Sequence, residues 1–207
     1  MGFDVYGLNP KVNEVPPTIL SKFYDENGWN NWAEMTEKDK ERYFLAQDEH
    51  QELNPGEYFR ANVWFWRPIW TFVCGACSDF LSDDDMEAGG SNSGDRICKT
   101  KANRIASRIR KLDKQGIIQT WEDEMMISYN EAKEHNKIID KEMDVFQDKM
   151  RIKYGKNIVP NKYDDDDRRT WDSIYHKRSW ASSYPPSRDS IVKFGIFCGE
   201  SGGFEIC

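Results

Sequence analysis

The chain has 207 residues, 31% of them charged, and a net charge of −7. That length suits one domain with a real core, and the acidic balance disfavours general nucleic-acid binding. No apolar run reaches membrane-spanning length and no basic start leads into an apolar segment, so a membrane protein and a secreted one are both disfavoured and a cytosolic one is expected.

Hydrophobic residues make up only 38%, but aromatics reach 14% and include eight Trp. Burial therefore rests on a few large side chains. Five Cys is an odd number, so free thiols are expected rather than a disulfide framework.

Phe3, Val5 and Tyr6 predict a short strand closed by Gly7. Residues 8–56 are polar, with turn signals at Asn9-Pro10, Pro16-Pro17, Asn27-Gly28 and Asn54-Pro55-Gly56. A helix over about 36–50 is expected there, with Thr36 as its N-cap. Tyr58–Leu81 reads as one helix, or as two meeting at Pro68. The proline ring clashes with the carbonyl of Trp64 and predicts a kink near Trp64–Arg67.

Residues 82–95 are a loop by composition. Ile97–Leu112 is expected to be a helix: Ile97, Ala102, Ile105, Ala106, Ile109 and Leu112 stand near helical spacing, and Gly116 ends it. A longer helix then covers about Thr120–Tyr154. Along it Met125, Tyr129, Ala132, Asn136, Ile139, Met143, Phe146 and Met150 alternate steps of four and three, a heptad seam with one polar position, Asn136.

Such a helix extends on the order of 50 Å. A compact domain of this size has a radius of gyration of about 17 Å, so the helix must cross the body or project from it. Asp164–Asp167 and Arg168-Arg169 read as a charged loop. Ser187 is the expected N-cap of a last helix over about 188–200, with Ile191, Phe194 and Phe197 on one face. Phe204-Glu205-Ile206 alternates like a terminal strand able to pair with residues 2–6.

The fold expected is α+β and mostly helical, a small sheet formed by the chain termini packed on three or four helices, with one long projecting helix. Residues 1–207 form a single domain in this reading, and 117–160 are a projecting helical appendage within it.

Three blocks carry a resemblance: Gly2-Phe3-Asp4-Val5-Tyr6-Gly7; Gly56-Glu57-Tyr58-Phe59-Arg60-Ala61-Asn62-Val63-Trp64-Phe65-Trp66-Arg67-Pro68; and Ser201-Gly202-Gly203-Phe204-Glu205-Ile206. They resemble a family of small proteins encoded by bacteriophages and some bacteria. Asn92, Gly94, Asp95, Ala102, Ala106 and Tyr184-Pro185 are similar to that family too, and about half the chain is covered. The resemblance implies a phage or prophage setting and no activity. Many members carry a Cys-rich insertion of zinc-ribbon character before the last helix. This chain has a charged stretch without Cys there, so no metal site carries over.

Tyr58–Trp70 holds six aromatics in thirteen residues, with Arg60, Asn62 and Arg67 among them. On a helix, Arg60, Trp64 and Arg67 would share one face. Arginine stacks on aromatic rings and pairs with phosphate or carboxylate, so a nucleotide-like anion or a partner protein suits such a face. The competing reading is a core helix whose arginines pair with Asp4 or Glu205. Tyr6 belongs to the same candidate surface.

Cys74-Gly-Ala-Cys77 has metal or redox spacing but lies in an apolar helical pattern without a second motif, so buried small residues are expected. A calcium loop starting at Asp83 would need Gly and Glu where Ala88 and Gly94 stand. His50, His135 and His176 are isolated, and neither Gly89-Gly90 nor Gly202-Gly203 precedes a phosphate-loop Lys. No metal or cofactor is expected. Arg104, Arg108, Arg110 and Lys111 form a local basic patch.

The heptad seam from Tyr129 to Met150 implies either a homodimer or packing within the chain, against Ile97–Leu112. The leading functional expectation is a phage-encoded, non-catalytic accessory protein in the cytoplasm of the infected host cell. It would bind a host or defence protein, or a small anionic ligand, through Arg60, Asn62, Trp64 and Arg67. The alternatives are an enzyme on a nucleotide-like or phosphorylated substrate, with Asp4, Asp95 or Glu205 as acid/base, and a minor virion protein.

Overall fold

The structure, a computed structural model, describes residues 2–13 and 32–207. The turn signals at Pro16-Pro17 and Asn27-Gly28 lie outside them. Among the described residues the order is β1 (Gly2–Gly7), α1 (Glu37–Leu53), β2 (Tyr58–Asn62), α2 (Val63–Cys77), α3 (Asp83–Ala88) and β3 (Asp95–Cys98). Then follow α4 (Lys99–Lys114), α5 (Ile117–Tyr154), α6 (Asp165–Tyr175), α7 (Arg188–Glu200) and β4 (Gly203–Ile206). The chain divides into two compact units, Met1–Ile118 with Ser187–Cys207, and Gln119–Pro186. No helix among the described residues is long and apolar enough to cross a membrane.

The first unit is the expected α+β arrangement. Its sheet has the order β2-β1-β4-β3, with every pair antiparallel. The chain ends supply the two central strands. Thr36 caps α1 by accepting from the Asp39 amide, and Ser187 caps α7 by accepting from the Ser190 amide. Both follow the Ser/Thr rule for N-caps.

The two outer strands correct the sequence reading. Tyr58–Asn62 is a strand and α2 starts only at Val63, so Tyr58–Leu81 is neither one helix nor two helices meeting at Pro68. The helix runs through Pro68 to Cys77. Ile97 belongs to β3, and the next helix begins at Lys99. In both places β1 or β4 offers a free ladder edge, and pairing overrides a helical pattern that is weak over four or five residues.

Alternate residues of each strand turn inward. Phe3, Val5, Ile97, Phe204 and Ile206 are buried there against α2, α4 and α7. Trp66 is fully buried and stacks between Phe3 (5.3 Å) and Trp70 (5.4 Å). Its Nε1 donates to the Gly89 carbonyl at 2.8 Å, and Trp70 Nε1 donates to that of Met86 at 2.8 Å. Phe194 packs edge-on to Phe59 (5.2 Å), Trp66 (5.5 Å) and Phe204 (5.6 Å). Burying each large apolar side chain contributes roughly 1.5–3 kcal/mol, so these rings carry much of the unit. Cys77 is part of this core, as its apolar context implied.

The expected loop at 82–95 holds a helix instead. Ser82 Oγ accepts from the Asp85 amide, and Asp85 Oδ2 accepts from the Ser82 amide at 2.7 Å, a capping box. Lys101 donates to the same carboxylate. The acidic run thus sits on a helix N-terminus, where it opposes the positive end of the dipole. Asp164–Asp167 is corrected in the same way. Asp164 caps α6 by accepting from the Asp167 amide at 2.9 Å.

In the second unit α5 carries the predicted seam from Tyr129 onward, whereas Met125, its expected first position, is exposed. Ala132, Asn136, Ile139, Met143, Phe146 and Met150 are buried, and Tyr129 is half-buried. The residues that cover its apolar part are Trp171, Ile174 and Tyr175 of α6 and Ile158 and Tyr163 of its approach, with Tyr154 at the end of α5 itself. The seam is therefore filled by its own chain, and a homodimer through these positions is not required to bury it. The expected intramolecular partner, Ile97–Leu112, is replaced in this cluster by residues on either side of the stretch read as a charged loop, Ile158 and Tyr163 before it and Trp171, Ile174 and Tyr175 after it.

Asn136 is buried but fully engaged. Its Nδ2 donates to Ser179 O (2.9 Å) and Ser182 Oγ (2.7 Å), and its Oδ1 accepts from the Ser179 amide at 2.8 Å. Asn136→Ala leaves these groups short of partners and should cost about 2–4 kcal/mol, read from urea unfolding, with earlier hydrogen exchange at Ser179. A change below about 1 kcal/mol would remove Asn136 from the account of this unit.

Burial alone would raise the pKa of Asp85, but Lys101 and Ser82 outweigh it and hold the carboxyl below its ordinary value. A depressed folded pKa stabilises above the unfolded value near 4 and is lost as pH falls through the folded one. Asp85→Asn should remove that dependence. Urea midpoints of wild type and variant should converge below about pH 4 and separate above it.

Candidate functional site

The strand alternation that buries one face of the sheet presents the other to solvent. Asp4 stands opposite Arg60, Tyr6 opposite both Tyr58 and Glu205, and Arg96 opposite Glu205. A row Tyr58, Tyr6, Glu205, Arg96 thus crosses all four strands, flanked by the pair Arg60 and Asp4. Tyr6 is 48% exposed, and the Arg60 and Arg96 side chains are 69% and 68% exposed.

The charges on this face are matched across neighbouring strands. Tyr58 donates its hydroxyl to Asp4 Oδ1, and Arg60 Nε lies 3.5 Å from the same oxygen. Arg96 Nε donates to Glu205 Oε2 at 2.6 Å. The Tyr6 and Tyr58 rings lie 5.2 Å apart. Burial, then the hydrogen bond and negative charge of Asp4, push the Tyr58 phenol well above its ordinary pKa, so it remains a donor. Exposed ion pairs of this kind contribute only about 0–1 kcal/mol. Their effect is to orient the side chains and cancel their charges.

At one end of the face β2 turns directly into α2. Asn62 Oδ1 accepts from the amides of Trp64 (3.0 Å) and Phe65 (3.1 Å), which is an N-cap. The first turn leaves Trp64 41% and Phe65 39% exposed, while Trp66 turns into the core. Arg67 is exposed one turn further on.

The predicted site residues are therefore rearranged. Arg60 lies on a strand and Trp64 and Arg67 on a helix, so the three share no helical face. Asn62 spends its oxygen on the cap. Asp4 does face Arg60, but Glu205 is held by Arg96. Asp95, the third carboxylate considered for acid/base work, accepts from Ser93 Oγ. Sequence reasoning missed Tyr58 and Arg96 as members of the face. The signal lay in the alternations Tyr-Phe-Arg-Ala-Asn and Asp-Arg-Ile-Cys, each four or five residues long.

Chemically, the face offers aromatic surface, hydroxyl and guanidinium donors and two neutralised carboxylates. No family model, curated protein or solved structure matches the chain.

The cap can be separated from the surface. Asn62→Ala should lower stability by about 1 kcal/mol in urea unfolding, and Asn62→Asp should restore most of it. Equal stability of Asn62→Ala and wild type would return Asn62 to the list of contact residues.

Proposed function

We propose that this chain is a non-catalytic accessory protein that docks a host or defence protein through the open sheet face and the first turn of α2. The setting is the cytoplasm of a phage-infected cell, as the resemblance of its three blocks implies. The observation that carries the reading is the exposure of three aromatic side chains: Tyr6, on the sheet face that also bears Arg60 and Arg96, and Trp64 and Phe65, on the turn that follows β2. Tyr, Trp and Arg dominate the energetically important positions of protein interfaces. A face whose ion pairs are already formed also enters an interface without bringing an unpaired charge.

A partner protein suits this face better than a small anion. Arg60 and Arg96 each have a carboxylate partner, which an anion would have to displace. The enzyme reading draws less support, because each candidate acid/base is held by a cation or a hydroxyl: Asp4 by Tyr58 and Arg60, Glu205 by Arg96, Asp95 by Ser93.

The test is the double variant Tyr6→Ala, Trp64→Ala. Truncating an interface aromatic costs about 2 kcal/mol or more, roughly thirtyfold in affinity per position. The variant should keep the wild-type melting temperature. It should lose the protein that tagged wild type captures from infected-cell lysate, and titration against that purified protein should show the loss of affinity. Equal capture and equal affinity for variant and wild type would defeat the proposal.

A further inference from the structure

The acidic net charge hides a strongly basic element. Of the sixteen residues of α4, seven are Lys or Arg and one is Asp, in a chain with a net charge of −7. Two of the seven are committed inside the unit. Lys101 pairs with Asp85, and Arg108 donates to both Asp79 oxygens and to the Ala76 carbonyl. The other five, Lys99, Arg104, Arg110, Lys111 and Lys114, are exposed, and none forms an ion pair with a described carboxylate.

These cations lie on a continuous surface. Three open depressions of about 330, 500 and 310 Å³ follow one another along α4. The first two share Asn103, and the last two share Ser107 and Lys111. Arg104 is held at its place by stacking, with its guanidinium carbon 3.9 Å from the Phe80 ring centre. Between the cations stand Thr100, Asn103 and Ser107, short side chains that donate hydrogen bonds.

We infer that this furrow along α4 binds the phosphodiester backbone of a nucleic-acid duplex. A helix of sixteen residues is about 24 Å long, and a duplex strand carries a phosphate about every 3.4 Å along its axis. Laid along the duplex the furrow thus spans about seven base-pair steps, and the phosphates of the two strands that border a groove over that length are enough to engage all five cations. Lys, Arg, Ser, Thr and Asn are the side chains that contact phosphate oxygens and fix a protein on a duplex without reading its sequence.

The composition of the face separates this ligand from others. An amphipathic helix that lies on a membrane inserts an apolar edge. Of the apolar residues of α4, Ala102, Ile105, Ala106 and Ile109 are buried in the core and Leu112 is half-buried. A protein interface needs a central aromatic or aliphatic anchor, which this face lacks. Single strands bind on stacking platforms, and among the described residues of this face the one aromatic ring, Phe80, is covered by Arg104. The net charge opposes binding only weakly at contact, because charges beyond about 8 Å are screened at physiological salt.

The experiment is a titration of the full chain against a short labelled DNA duplex at salt concentrations from about 50 to 200 mM. Five phosphate contacts predict a log–log slope of about −4.5. The triple variant Arg104→Gln, Lys111→Gln, Lys114→Gln alters exposed residues only and should melt like wild type. Its slope should fall to about −2, and its Kd at low salt should rise at least about tenfold. The Tyr6→Ala, Trp64→Ala variant should bind the duplex as wild type does, so this inference and the docking proposal fail separately. A slope unchanged in the triple variant would overturn the inference. So would binding to phosphatidylserine vesicles, or to a single strand, without binding to the duplex.

Discussion

The first unit depends on the pairing of its two chain ends. Asp4 and Cys207 exchange backbone hydrogen bonds at 2.8 Å in each direction, and Val5, Tyr6 and Gly7 pair with Ile206, Glu205 and Phe204. Beyond the ladder, Leu8 donates to Gly203 O, Asn9 to Ser201 O and Lys11 to Glu200 O, at 2.8–3.0 Å. Residues about two hundred positions apart are thereby held in register. Closing so long a loop is entropically costly, and the buried inner face of the strands must offset it. The crossing backbones approach closely enough to exclude side chains. A Cβ on Gly7 would lie 2.1 Å from the Gly56 carbonyl oxygen, and one on Gly202 would lie 2.1 Å from that of Asn9, at a φ of +65°. Residues 2–7, 56–62 and 201–206 meet at this closure, which gives Gly7, Gly56 and Gly202 a physical reason.

Closure also creates both candidate surfaces. With β1 and β4 side by side, β2 and β3 add at the edges, and each leads straight into a helix at Asn62 or Cys98. Those helices, α2 and α4, are tied to the buried side of the sheet. The exposed side is left to the aromatic and paired-charge row, and the outer side of α4 is left to its cations. The two surfaces differ in kind. One has aromatic area with its charges cancelled; the other has charge without apolar area. The protein partner proposed for the first and the duplex proposed for the second follow from that difference.

Much of this was legible from the residues, and the failures share a cause. Helices α1 and α7 announced themselves by Thr36 and Ser187, and the terminal strands by the alternation around Val5 and Glu205. The strands β2 and β3 are four or five residues long and run into helices without a turn. A helical period drawn through them finds enough apolar matches to extend too far. What fixes them as strands is the ladder edge supplied by the chain termini, a contact more than fifty residues away for β2 and more than a hundred for β3. Helices α3 and α6 were lost for another reason. Runs of Asp read as loops by composition, yet Ser82-x-x-Asp85 and Asp164-x-x-Asp167 are N-terminal caps followed by acids that favour the dipole. For the candidate site, residue types were readable but geometry was not. Arg60 and Trp64 belong to one neighbourhood, but across a strand-to-helix junction, so the spacing rule applied to them was that of the wrong element.

The heptad seam shows what such a pattern does and does not specify. Steps of four and three state that a stripe of α5 is covered; they do not state by what. In a coiled coil the polar seam residue would find its mate on a second helix. Here Asn136 satisfies one backbone carbonyl, one amide and one hydroxyl from residues 179–182, a set that a facing helix, with its own backbone groups bonded internally, would not present. A polar seam residue whose partners are loop backbone groups therefore specifies a return of the same chain. The same bonds fix where residues 179–182 lie on α5, so the one polar position of the seam sets the register of the segment that follows α6.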